Sequence, residues 1–250
     1  TYLRGDNSWA TISAGVETNL TATSNIGLGA NAVDSITTGD YNVGIGDDAG
    51  TAITTGSNNV AVGKSALSAN TTGHSNVAVG KSAMVANTTG INNTCLGMSS
   101  LSANTSGGSN VGMGINSLLS NTTGSSNVAI GQQSLNGNTT ASNNTAVGSY
   151  ALTANTTGGS NVAVGFDALK SNTTGNRNIV VGNEAMDASD TESDNMAIGH
   201  AAMTANNAGG TKLLAIGNYA LDAATSGDQN VAVGYAALGA TTTGENNTAV

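Results

Sequence analysis

An asparagine recurs every 17 residues, at Asn25, Asn42, Asn59, Asn76, Asn93, Asn110, Asn127, Asn144, Asn161 and Asn178, without loss of phase. The series continues at Asn195. One extra residue enters before Leu213, and the period resumes at Asn230 and Asn247. Each unit reads roughly N-V-A-V-G-x-x-A-L-x-A-N-T-T-G-x-x. A short period held this long is the signature of a solenoid whose units stack only on their neighbours. We count the opening asparagine as slot zero and the following positions as slots one to sixteen.

Slots one and three are apolar, as in Val60 and Val62, Val128 and Ile130, or Val162 and Val164. Alternation over so short a run predicts a β-strand with those side chains on one face. Slot two points the other way. It holds Ala61, Ala78, Cys95, Ala129, Ala146, Ala163, Ala197 and Ala232, with Gly44 and Gly112 among them and Val180 as the one larger residue. A column of small apolar residues implies a closely packed second surface. The simplest such surface is a neighbouring copy, which makes those eight residues candidates for a trimer interface, with slots one, three and eight anchoring the core. Slot four is Gly in every complete unit, which demands a positive φ or leaves no room for a Cβ. Slots eleven to fourteen read N-T-T-G, a turn sequence.

Seventeen residues are too few for a helix-turn-helix unit, and Val, Thr and turn residues argue for strands. The expected fold is therefore all-β: a parallel β-solenoid over 25–250, about thirteen coils and about 60 Å long at ~4.8 Å per coil. Residues 1–24 read as an N-terminal connector, and the C-terminus cuts a repeat, as in a segment of a longer protein. Stacked asparagines predict amide ladders. So narrow a coil predicts association between chains, because small cores bury too little by themselves.

Composition narrows the function. Charged residues make up 8% of the chain, and the net charge is −9, with six scattered Lys and Arg. That distribution argues against nucleic acid, whose binding needs clustered cations. No apolar run approaches the ~18 residues of a membrane helix. The single Cys95 excludes an intrachain disulfide.

Two stretches carry a resemblance. The unit NVAVGKSAL at Asn59 to Leu67, repeated as NVAVGFDAL at Asn161 to Leu169, resembles the head repeat of trimeric autotransporter adhesins. Those heads are trimers of left-handed parallel β-rolls with a shorter unit. The longer form at Asn143 to Asn161 is similar to repeats in bacteriophage tail fibre-like proteins. Leu3-Arg4-Gly5-Asp6-Asn7-Ser8-Trp9-Ala10-Thr11 resembles a segment that precedes distal modules of phage tail fibres. The resemblance implies a homotrimeric fibre on a virion or at an extracellular surface, active in host attachment, with a cell-surface glycan or protein as receptor. A bacterial or environmental adhesin fibril and an ice-binding solenoid are the alternatives.

Chemistry is sparse. His74 and His200 stand eight units apart, about 38 Å along the rod, so no Ser-His-Asp arrangement assembles. Asp167 and Glu184 share slot six of adjacent units at a spacing that would suit a glycosidase pair. The acidic run Asp187, Asp190, Glu192, Asp194 carries oxygen ligands of the kind Ca²⁺ takes. Solvated loop charges explain both groups better. The expectation is no catalysis, no cofactor and no metal. Arg4-Gly5-Asp6 spells a cell-adhesion triplet, better explained as part of the tail-fibre-like segment. Asn70, Asn87, Asn104, Asn121, Asn138, Asn155 and Asn172 match glycosylation acceptors, although a turn-forming Asn is the stronger reading. Tyr150, Phe166, Tyr219 and Tyr235 fall in variable, outward slots and are candidates for stacking on sugars.

Overall fold

The computed structural model describes the backbone of residues 2–3 and 9–10, and residues 24–205 and 209–250. Two short strands, β1 (Tyr2–Leu3) and β2 (Trp9–Ala10), pair antiparallel with Leu3 opposite Trp9. Arg4-Gly5-Asp6 lies outside the described residues.

From β3 (Ile26–Leu28) to β16 (Thr248–Ala249), every repeat contributes one strand to a single 14-stranded sheet in strict chain order. All neighbours are parallel. Each residue pairs with its equivalent 17 positions on, as Val60 with Val77 and Ala61 with Ala78. The offset widens by one residue only at Met196–Leu214, across the insertion. The described residues contain no helix. The parallel solenoid read from the period is therefore the fold.

The loops stack as regularly as the strands. Slot-one N–H groups donate to the slot-zero carbonyl of the next coil, as Val60 to Asn76 at 2.8 Å. Slot-four N–H groups donate back to the preceding coil, as Gly63 to Ile45 at 2.7 Å. At slot twelve, Thr71 N–H donates to the Thr88 carbonyl at 3.0 Å. Backbone groups of the turns are thus satisfied between coils, as buried amides must be.

Slot four explains its glycines twice over. Gly131 has φ +131°, a region that L side chains rarely adopt, and a Cβ there would lie 2.5 Å from the Gly148 carbonyl oxygen. Slots six, eight and sixteen also take positive φ with ordinary side chains, such as Gln133 (56°), Leu135 (49°) and Ser126 (58°). Each costs backbone strain of order 1 kcal/mol, which the repeated hydrogen bonding must hold in place.

The assignment of strand faces needs correcting. The slot-two residues Ala61, Ala78, Cys95, Ala129, Ala146, Ala163, Ala197 and Ala232 are fully buried within the single chain. They join the slot-eight residues Leu67, Met84, Leu101, Leu118, Leu135, Leu152 and Leu169 in one core cluster. They are interior residues, not interface residues. Slots one and three, expected to fill the core, face outward, with Ile26 53% and Leu28 52% exposed. The reason is width. A Cβ on Gly112 would come within 2.5 Å of Leu101 Cδ1 and of Ser100 Oγ, on the opposite wall. The surface packed tightly against slot two is the far wall of the same coil. Only small residues fit there, and the β-branched residues of the strand are turned out.

Candidate functional surface

The outward strand face runs the length of the sheet. It carries two parallel columns of apolar side chains from Ile26 and Leu28, through Leu96, Met113 and Ile130, to Ile179, Val181 and Ile216. Thr94 and Thr145 are the polar interruptions between β3 and β16. At the spacing of a parallel sheet, fourteen strands and two columns make a strip about 60 Å by about 10 Å, roughly 600 Å². That is the upper end of the largest apolar patch on an ordinary monomer, a feature that is often functional.

Behind that face lie two columns of buried asparagine. In the slot-zero column, Asn42 Oδ1 accepts from both the N–H of Asn59 (3.1 Å) and its Nδ2 (3.0 Å). Asn59 Nδ2 also donates to the Gly73 carbonyl at 2.9 Å. The slot-eleven column runs from Asn70 to Asn172, and from Asn87 onward each Nδ2 donates to the Oδ1 one coil before, as Asn121 to Asn104 at 2.8 Å. The same Nδ2 atoms reach the slot-fourteen carbonyl of their own turn. Asn70, Asn87, Asn104, Asn121, Asn138, Asn155 and Asn172 are fully buried. Their Nδ2 atoms are the ladder donors, and a glycan on one would have no path out and would break the column. The turn reading of N-T-T-G replaces the glycosylation reading.

The slot-twelve threonines follow the same logic. Thr71 Oγ1 donates to the Thr88 carbonyl at 3.2 Å and is half-buried, while Thr72 in slot thirteen is exposed. One threonine column faces out on each coil; the second is tied to the stack.

The acidic run separates into distinct roles. Asp194 takes a two-pronged contact from Arg177 one coil earlier, at 2.6 and 2.8 Å, on the exposed surface. That contact lowers the Asp194 carboxyl and raises the guanidinium. Burial, followed by the charge of Glu184, raises the Asp187 carboxyl. Asp167 pairs with Lys170 at 2.8 Å, and the hydrogen bond raises the lysine. Among the described residues no three His, Cys, Asp or Glu side chains converge as a metal site. His74 is exposed beside Ser75, whereas the His200 ring stands against Tyr219.

Glu192 is not a solvated charge. It is 3% exposed, and Oε2 accepts from Ser189 Oγ (2.8 Å), Asp190 N–H (2.9 Å) and Thr191 N–H (3.0 Å). Its Oε1 accepts from Gly209 N–H at 3.0 Å, in the coil that carries the extra residue. Burial alone would raise this carboxyl, but the hydrogen bond from Ser189 and those from the backbone outweigh it, and the net direction is down. The signal was in the phase: Glu192 stands in a glycine slot and Ser189 in an asparagine slot, both buried columns.

The aromatic candidates share one corner, slots five and six, just after the strand. Tyr150 and Phe166 touch edge-to-face with centroids 6.1 Å apart. His200, Tyr219 and Tyr235 form a second run at 5.3 and 5.8 Å. Phe166, Tyr219 and Tyr235 are 44%, 37% and 77% exposed. Comparison with protein-family models, with curated proteins and with solved structures finds no match.

Proposed function

We propose that this chain is a structural and adhesive fibre segment that works as a homotrimer, of the kind found in phage tail fibres or extracellular adhesin fibrils. The observation that carries the reading is the apolar strip on the outward strand face. A lone rod would expose it along its whole length. In a trimer each copy would bury about 600 Å² of strip in total, shared between its two neighbours. A strip of even width and depth suits parallel copies in register, and the resemblance of the NVAVGKSAL unit to trimeric heads supplies the number three. The interface therefore consists of slots one and three, not the slot-two alanines.

A stacked coil resists extension because every turn is hydrogen-bonded to the next. That suits a spacer which holds a receptor-binding surface away from its base. The partners are other copies of the chain and a cell-surface glycan or protein receptor, in a virion or extracellular setting, without catalysis.

Sedimentation equilibrium tests the reading. A trimer of the 24.3 kDa chain weighs 3 × 24.3, about 73 kDa. Val128→Lys with Val162→Lys should yield soluble monomers that keep β circular dichroism, because both side chains point away from the core. A wild-type chain that remains monomeric at high concentration would refute the proposal.

A further inference from the structure

Outside the apolar strip, the aromatic side chains are not scattered. Four of the five aromatic residues between 24 and 250 occupy the slot-five and slot-six corner of the C-terminal half: Tyr150, Phe166, Tyr219 and Tyr235. His200 joins them. The same corner in the N-terminal half carries Lys64, Ser65, Lys81 and Ser82. We propose that this corner is a binding strip for a neutral polysaccharide chain laid along the rod.

Three observations support the assignment. The first is position. Tyr150 and Tyr235 are five coils apart, so the strip extends about 24 Å parallel to the axis. The rings lie in two edge-to-face runs separated by the coil of Asn183. The second is local cost. Tyr150 and Tyr219 sit at φ 61° and 60°, where a bulky side chain is disfavoured and where other coils place Ser, Asn, Gln, Asp, Glu or Ala. Tyr219 is 37% exposed, so core packing does not repay that strain. Strain of this kind gathers at functional positions. The third is charge. Asp167, Glu184, Asp187 and Asp222 belong to these same coils, with Lys170 as the nearby cation. Such a surface disfavours anionic glycans. Aromatic rings offer flat apolar faces to the C–H faces of sugars, while the exposed side chains of Asn183 and Asn218 supply hydrogen-bonding amides. The strip needs one rod only and stands whether or not the chain trimerises.

Affinity electrophoresis of the full chain through gels containing dextran, mannan, xylan, hydroxyethyl cellulose or alginate tests this. Retardation by at least one neutral glycan, with none by alginate, is expected. Tyr219→Ala with Tyr235→Ala should weaken that retardation at least tenfold, and Phe166→Leu should weaken it severalfold while keeping its volume nearly constant. Lys64→Ala, on the same corner of the other half, should leave it within twofold. The proposal is overturned if no neutral glycan retards the chain. It is overturned equally if alginate binds as well as the neutral glycans or if the tyrosine variants still bind. Loss of oligomeric mass in those variants would make the corner a contact between copies and would also overturn it.

Discussion

The coils from Asn59 to Arg177 and the stretch from Asn178 to Gln229 obey one register but solve the interior differently. In the first, two asparagine columns run without a break and are tied from coil to coil through their Oδ1 acceptors, while Asn144 and Asn161 donate to the preceding Oδ1 through backbone N–H and use Nδ2 for the Gly158 and Gly175 carbonyls. In the second, Ser189 replaces the slot-eleven asparagine, Glu192 replaces the slot-fourteen glycine, and Leu213 replaces the slot-zero asparagine. The break leaves its mark on the last regular coil: Asn172 Oδ1 is buried without a hydrogen-bond partner, because Ser189 Oγ donates to Glu192 instead. A ladder is therefore a property of the column. Ending it costs the coil before the defect, and the defect itself needs a new acceptor.

The sharpest way to break the regular region is a side chain at its tightest corner. Gly131→Ala adds a Cβ 2.5 Å from the Gly148 carbonyl oxygen at φ +131°. Backbone strain and steric overlap together should cost about 3–5 kcal/mol, read as a loss of thermal midpoint. Gly234→Ala separates the two causes. Gly234 has nearly the same φ, +132°, but its Cβ would meet only the Ala237 methyl at 3.9 Å. Strain alone should cost about 1–3 kcal/mol. Equal losses at the two sites would show that packing between coils contributes nothing at this corner.

Next in size is a gap within the ladder. Asn121→Ala removes the donor to Asn104 Oδ1 and the acceptor of Asn138 Nδ2. Three polar groups lose a partner, the Gly124 carbonyl among them, which should cost about 2–4 kcal/mol. Amide exchange should accelerate most in the two adjoining coils, because solenoid stability is largely nearest-neighbour. A uniform change along the rod would refute the local ladder.

How much of this was legible in the sequence divides along physical lines. The period fixed the stacking, the register and the amide columns, since identical residues one coil apart have nowhere to go but onto each other. Gly131 and its equivalents were readable because few causes demand glycine. The face of the strand was not readable from alternation, because Val60 and Ala61 are both apolar. Only the width of the coil decides that the smaller residue goes inside. Asn121 looked like a loop residue because N-T-T-G is turn chemistry, and burial of a turn follows only from the stack. Glu192 looked like one acid among four, and its off-phase position was the missed cue.

The irregular stretch can be sharpened by returning it to the pattern. Ser189→Asn with Glu192→Gly should give Asn172 Oδ1 a donor, at the expense of the contact to Gly209. Each single change should destabilise by about 1–3 kcal/mol, since each strands a buried polar group. The pair should cost less than either alone, a coupling of about 1–2 kcal/mol in a double-mutant cycle. Additive losses would mean that Ser189 and Glu192 do not act as a unit.

The smallest effect expected is one of pH, confined to the same stretch. The Glu192 carboxyl is lower in the folded chain than its ordinary value, so the folded state favours the charged form. Its contribution is present above the unfolded value of about 4.3 and fades as pH falls through the lower, folded value. Acidification should thus loosen the clip between Glu192 and Gly209 before it disturbs the Asn70–Asn172 column, whose amides do not titrate. Exchange of the Gly209 amide, compared with that of Asn121 across this window, measures the difference. Glu192→Gln should keep an acceptor yet abolish the pH dependence. A Gly209 amide that responds to acid equally in the wild type and in Glu192→Gln would mean that another group controls the insertion, and the comparison between the two regions would then rest on the ladder alone.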